Sequence, residues 1–131
     1  MELLTREAIL AAQDITTEDV ACPEWGGTVR IKAPTGAERD EFEQKISRRT
    51  GKKVVADLKN IRARTVAKFA VNDTGARLFT DADVIGLGQK SGAALDRCFT
   101  AWMKLAGMTE EEMDEVTENL DGGQSDGATS V

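Results

Sequence analysis

The chain has 131 residues, a formal net charge of -6, and neither His nor Tyr. This length predicts one domain that buries roughly two-thirds of its unfolded surface. The absent His and the two widely separated Cys residues exclude imidazole catalysis and a four-thiolate zinc site. No stretch reaches the roughly 18 continuous apolar residues that span a bilayer, and the first residues lack a signal-peptide pattern. We therefore expect a cytoplasmic protein in which Cys22 and Cys98 are free and buried.

The N-terminal segment predicts a short helix from Leu3 to Ala12, with Thr5 as its cap. Four large apolar side chains are available for burial in the core. They are Leu3, Leu4, Ile9 and Leu10.

Residues 16–33 predict an antiparallel β-hairpin around the turn sequence PEWGG at 23–27. Val20 and Cys22 share one face of the first strand, and Val29 and Ile31 share one face of the second. A lone hairpin is marginal in water, so it must lie on helices or pair with another sheet edge. Trp25 is difficult to bury at the tip of the turn and is a candidate for contact with another chain.

Three capping boxes indicate where helices begin, at Thr35 with Glu38, Thr80 with Asp83, and Thr109 with Glu112. We predict a single domain over residues 1–108 and a disordered Gly-rich tail over residues 121–131. The predicted helices cover about 36–49, 54–71, 81–88 and 91–106, followed by an acidic helix over 109–120.

Two of these helices carry strong apolar stripes. Val54, Leu58, Ile61, Thr65 and Phe69 recur every three or four residues, which places them on one helix face. The helix over 91–106 has a matching stripe, whose members are Leu95, Cys98, Phe99, Trp102, Leu105 and Ala106. We place Trp102 in the core, because Phe99 and Leu105 share its face. The sequence therefore predicts an α+β fold, a mainly α-helical small domain with one N-terminal antiparallel β-hairpin.

Charge is segregated along the chain. Nine Lys and Arg residues oppose the single Asp57 between Lys45 and Lys68, whereas residues 109–131 carry eight carboxylates and no Lys or Arg. We expect the acidic end to fold back on the basic segment of its own chain or to reach that of a neighbouring chain. Arg62 lies within an apolar stripe, so it either extends its head to water or pairs with a carboxylate.

The residues available for chemistry do not favour an enzyme. The GLGQKSG segment at 86–92 lacks the spacing of a phosphate loop, and Asp81 and Asp83 are explained by helix capping. We therefore predict a non-catalytic protein that binds other proteins and needs no cofactor or metal. The alternative is a small nucleic-acid-associated protein with a basic middle segment and an acidic autoinhibitory end.

Four short motifs resemble the tail assembly chaperones of long-tailed, siphovirus-like bacteriophages. They are a PEWGG-like hairpin turn (Pro23 to Gly27), a TGAERD-like helix start (Thr35 to Asp40), an LFTD-like turn (Leu78 to Asp81) and a final LxG (Leu105 to Gly107). The resemblance covers roughly the first 108 residues.

The resemblance implies a chaperone that binds the phage tape measure protein and keeps it soluble during tail assembly. It also implies a host-cytoplasmic protein absent from the mature virion, and a ribosomal frameshift that yields a longer form able to recruit the tail tube protein. Self-association is a further expectation, whereas nucleic acid and membrane are not expected partners. Our candidate partner-binding residues are Trp25, Arg48, Arg49, Lys52, Lys53, Arg62 and Phe69.

Overall fold

The computed structural model describes residues 1–47 and 59–129. Short 3-10 turns at Pro23–Trp25 and Asp81–Asp83 connect some of its elements. The helices and strands, in chain order, are α1 (Arg6–Ala11), β1 (Thr17–Cys22), β2 (Gly27–Lys32), α2 (Gly36–Ser47), α3 (Ile61–Phe69), β3 (Ala70–Val71), α4 (Val84–Gly88), α5 (Gly92–Leu105) and α6 (Glu110–Thr129).

The predicted hairpin is present and is extended by a third strand. Strands β1 and β2 pair antiparallel from Thr17 with Lys32 to Cys22 with Gly27. The turn closes where Gly26, at φ +76°, takes the left-handed conformation that Gly adopts at little cost. Strand β3 then pairs antiparallel with the other edge of β2, giving the order β1-β2-β3. The α+β prediction is confirmed, and the added strand resolves the marginal stability of an isolated hairpin.

All three predicted capping boxes form. The Thr35 N–H donates to Glu38 at 2.9 Å and the Glu38 N–H donates to the Thr35 hydroxyl at 3.1 Å. The same pair of bonds joins Thr109 and Glu112 at 2.8 and 3.1 Å. Before α4, the Thr80 N–H donates to Asp83 at 2.8 Å. These local bonds satisfy backbone donors that have no partner within the helix, which is why the starts were readable from sequence.

Helix α3 begins at Ile61 and ends at Phe69, whereas the sequence predicted one helix over residues 54–71. Residues 54–58 lie outside the described residues, and Asn60 precedes α3 in a left-handed conformation, with φ +58°. Asn tolerates this conformation better than most residues, so it begins a helix here and does not continue one. The helix ends at Phe69 because Ala70 and Val71 leave it to pair with β2.

The core is centred on Trp102 of α5, which is 1% exposed. Its ring lies 4.7 Å from that of Phe42 on α2, 5.3 Å from that of Phe69 on α3, and 6.2 Å from that of Phe99 on α5. Ring pairs at these separations add to the free energy gained from burial. The prediction that Trp102 belongs to the core is confirmed.

The acidic helix α6 packs on this core and is longer than predicted. Met113, Val116 and Leu120 are three and four residues apart, and the last two are buried. Glu112 lies 3.6 Å from Arg39 of α2, which precedes the basic segment with which we expected a contact. The helix also continues to Thr129, past the predicted end near residue 120. The Gly residues there lower helix propensity, but without Pro nothing in the sequence blocks the helix.

Replacing Trp102 with Ala is expected to lower the free energy of unfolding by about 3–5 kcal/mol, because the cavity would remove the contacts that Phe42, Phe69 and Phe99 make with the indole ring. Chemical denaturation monitored by circular dichroism measures this change. The control is Ile85→Ala, since Ile85 is 73% exposed and should change stability little. Equal midpoints for the two variants would contradict the central position of Trp102.

Candidate partner-binding surfaces

A groove of about 540 Å³ lies between α2 and α3. Its walls are continuous helix faces, because the lining positions on both helices are three or four residues apart. Helix α2 contributes Glu38, Glu41, Phe42 and Lys45; helix α3 contributes Ile61, Arg64, Thr65, Lys68 and Phe69; the remaining lining residues are Arg77, Asp81, Val84 and Trp102.

Charged side chains border the groove and several of them are paired. Lys68 lies 3.3 Å from Glu41, so an ion pair connects α3 with α2. Arg77 lies 3.0 Å from Asp81 and donates two hydrogen bonds to the Ala67 carbonyl, at 3.1 and 2.9 Å. Within the described part of the chain, no carboxylate pairs with Lys45. The border therefore offers an available cation beside an apolar floor.

The buried indole of Trp102 contributes an unsatisfied donor to this region. Its Nε1 is inaccessible to solvent and has no acceptor among the described residues. A buried donor without an acceptor costs about 1–3 kcal/mol, and most buried polar groups in proteins are paired. The unpaired donor is therefore an energetic cost inside the core, because the Nε1 atom is not exposed to the groove.

A second surface is the N-terminal arm, which we define as residues 1–15. Thr5 caps α1 as predicted, accepting a hydrogen bond from the Ala8 N–H at 3.1 Å. The large apolar side chains that we expected to be available for burial are not buried, and α1 buries no residue. The large side chains are between 56% and 97% exposed; they are Leu3, Leu4, Ile9 and Leu10. Contiguous exposed apolar side chains mark interaction surfaces in proteins.

Trp25 lies at the hairpin turn, half-buried and packed against the core. The turn is held to α5 by Arg97, which donates to Glu24 at 3.0 Å and to the Ala21 carbonyl at 3.0 Å. The Arg97 hydrogen bond lowers the pKa of the Glu24 carboxyl. Part of the Trp25 ring remains accessible at a fixed position.

Arg62 and Phe69 are both engaged within the fold. Arg62 pairs with Asp96 of α5 at 3.0 Å, and its guanidinium carbon lies 5.6 Å from the centre of the Phe99 ring. The expected carboxylate partner is therefore intramolecular. Phe69 is buried against Trp102 and reaches the surface only as part of the groove lining.

The other four candidates, Arg48, Arg49, Lys52 and Lys53, lie outside the described residues. The groove brings Phe69 together with Lys45, Arg64 and Lys68 from the described part of the basic segment. Trp25 and Arg62 do not line it.

A comparison with protein-family models matches residues 4–118 to the phage tail assembly chaperone family. The match covers most of the 131 residues and includes the arm from Leu4, both walls of the groove and the start of α6. The chain belongs to this family. No match was found among the curated proteins or the solved structures.

Sequence reasoning missed both surfaces of this tail assembly chaperone. One signal for the groove was present, since Glu38, Phe42 and Lys45 recur at helical spacing although the helix has few apolar residues. A helix with so short an apolar stripe cannot fill the space beside a larger neighbour. No sequence signal distinguished the exposed arm from a helix packed on the core.

In the described part of this chaperone, the Cys, Asp and Glu side chains form no group of three or more that could hold a metal ion. Within the same residues, no helix combines the length and apolar character needed to cross a membrane.

Cys22 and Cys98 are free and buried, which confirms the prediction from sequence. Their Sγ atoms lie 3.8 Å apart, at the end of β1 and in the middle of α5. Burial, and secondarily the adjacent Cys22, raises the pKa of Cys98 to about 12.

We expect Cys98 to react slowly with an aromatic disulfide reagent at pH 8 in the native chaperone, because the thiolate is the nucleophile and its pKa lies well above that pH. Unfolding should restore a pKa near about 8.5 and rapid labelling. Absorbance of the released thiolate, with and without denaturant, measures both rates. Rapid labelling of Cys98 in the native protein would contradict its burial.

Proposed function

We propose that this chain binds the tape measure protein of its phage and keeps it soluble until the tail tube polymerises around it. Membership in the tail assembly chaperone family supports a role with tail proteins in general. The groove between α2 and α3 is the observation that favours a helical client, because it combines an apolar floor with a charged border. The proposal places the protein in the host cytoplasm, outside the mature virion, and assigns it no catalysis.

An unassembled tape measure protein is a long helical chain whose apolar stripes have no partner. Covering one stripe removes apolar surface from water and prevents stripes on different chains from meeting. Such binding depends on apolar contact, so it should tolerate salt. Phosphate binding would instead weaken steeply with salt.

Co-expression with the tape measure protein tests the proposal. We expect a larger soluble fraction of that protein, and co-purification that persists at high salt. An unrelated small acidic domain expressed at the same level is the control. The proposal fails if the tape measure protein is equally insoluble with this chain, with the control domain and without either.

The nucleic-acid alternative receives less support from the contacts. Two cations of the basic segment, Arg62 and Lys68, are paired with carboxylates on neighbouring helices. Retention of DNA or RNA at low salt and its loss at high salt, without capture of the client, would favour this alternative.

We also propose that the N-terminal arm mediates self-association. A six-residue helix that buries nothing is too short to be stable alone, so a covering partner would stabilise it. The family resemblance further supports a tail tube protein partner, reached through a frameshifted longer form.

Replacing Leu4 and Ile9 together with Asp should convert an oligomer to a monomer without unfolding the domain, because both side chains are exposed in the isolated chain. Sedimentation velocity gives the mass and circular dichroism gives the fold. Glu2→Gln with Glu7→Gln is the matched control, since it changes the same arm without altering its apolar face. A monomeric unmodified protein at high concentration would rule out association through the arm.

A further inference from the structure

The thiols of Cys22 and Cys98 meet inside the core, although 76 positions separate them in the sequence. Cys22 is the last residue of β1, and Cys98 lies in the middle of α5. Both residues are 0% exposed, and their Sγ atoms lie 3.8 Å apart. A disulfide holds its sulfurs about 2 Å apart, so a small rotation of the two side chains would bring these sulfurs within bonding distance. The fold therefore brings together the two partners of a possible cross-link.

Polar contacts beside the thiols join the same two elements. Arg97 of α5 donates to the Ala21 carbonyl and to Glu24 in the turn, each at 3.0 Å. Arg97 precedes Cys98 in the sequence, and Ala21 precedes Cys22. One short part of α5 thus holds the end of the hairpin through a guanidinium and a thiol. A covalent bond at this point would join parts of the fold that are already in contact.

Burial slows access to the thiols, and the hairpin turn is the place where access is easiest. Cys22 immediately precedes the exposed residues Pro23 and Glu24, at the position where the pairing of β1 with β2 ends. Strand ends and turns open locally at a lower free energy than the core does. Cys98 lies in the middle of α5 and is less able to leave the core. A small oxidant should therefore reach Cys22 first, during an opening of the turn.

Arg97 also affects the thiols electrostatically. The pKa of Arg97 is raised, chiefly by its hydrogen bond to Glu24 and to a smaller extent by Cys22 and Cys98. Burial raises the pKa of Cys98 to about 12, and the charge of Arg97 opposes part of that rise. Because the thiolate is the reactive form of cysteine, a cation beside the pair favours reaction once the turn opens and water reaches the sulfurs.

We propose that Cys22 and Cys98 form a site of oxidative modification. Opening of the hairpin turn admits a small peroxide, which converts the two thiols into a disulfide, and the disulfide fixes the turn and its Trp25 to α5. The modification involves only this chain and a peroxide, so it does not depend on the proposed client.

The reaction takes two steps. The Cys22 thiolate attacks one peroxide oxygen and the O–O bond breaks, so Cys22 becomes a sulfenic acid; the departing hydroxide takes up the proton that Cys22 released, giving water. As the turn closes, the Cys98 sulfur attacks the Cys22 sulfur and the S–O bond breaks. The hydroxide leaves with the Cys98 proton as a second water. Contact between the sulfurs makes this step intramolecular, which favours it over further oxidation of Cys22.

Treatment of the full chain with hydrogen peroxide tests the proposal, with tryptic peptides mapped before and after reduction. We expect an intramolecular disulfide between Cys22 and Cys98 that dithiothreitol reverses. The thermal midpoint should rise by about 10 °C, because the cross-link closes a long loop in the unfolded chain. Cys98→Ala should form no such bond and show no rise, and this variant also controls for oxidation of the four Met residues.

Arg97→Lys and Arg30→Lys are matched variants that test the opening step. Both keep the positive charge, but Arg30 pairs with Asp19 inside the hairpin, whereas Arg97 makes a bidentate contact that connects the turn to α5. Lys cannot make a bidentate contact, so the turn should open more often in Arg97→Lys. We expect the disulfide to form about threefold faster in Arg97→Lys, the effect of weakening one exposed ion pair, and at an unchanged rate in Arg30→Lys.

The outcomes separate the parts of the proposal. Absence of the internal disulfide, or cross-links only between different molecules, would overturn the modification site. An oxidised form that melts at the temperature of the reduced form would overturn the fixing of the turn to α5. Equal rates for the two Lys variants would overturn the opening step. If Cys98→Ala does not fold, the peptide map of the unmodified sequence and its reversal by dithiothreitol still decide the first point.

Discussion

The packing of Trp102 against three Phe rings is the interaction on which the rest of the structure depends. It joins α5 to α3 through Phe69 and to α2 through Phe42. Among the described side chains of α2, Phe42 alone is buried. Polar contacts also hold the helix, because Arg39 pairs with Glu112 and donates to the Ala106 carbonyl, and Glu41 pairs with Lys68. The groove lies beside the Phe42 contact.

The sheet is connected to the helices by the chain itself. Helix α3 passes directly into β3, whose two residues pair with β2, so the position of α3 is fixed relative to the sheet. At the opposite side, Arg97 of α5 binds the Ala21 carbonyl at the hairpin turn. Hydrogen bonds at both edges hold a small sheet that has too few residues to be stable by itself.

The proposed function relates the two unused surfaces to reversible binding. An assembly chaperone must hold its client and later release it, so its binding surfaces must also exist in water. The N-terminal arm exposes apolar side chains to water. Covering these side chains in a complex would remove that apolar surface from water and would stabilise the bound state. A large fully apolar surface would bind more tightly but would aggregate before meeting a client.

The sequence by itself determined the elements whose causes are local. The three capping boxes, the PEWGG turn and the stripe that contains Trp102 all formed as predicted, because the hydrogen bonds and periodicities involved span only a few residues. The partner of Arg62 and the exposure of Leu3 and Leu4 were decided by tertiary structure. Tertiary structure also decided that Ala70 and Val71 leave the helix to pair with β2, and that a groove lies beside Phe42. Each of these depends on residues distant in sequence, and an apolar stripe specifies that a helix has a contact face without specifying which surface, if any, will cover it.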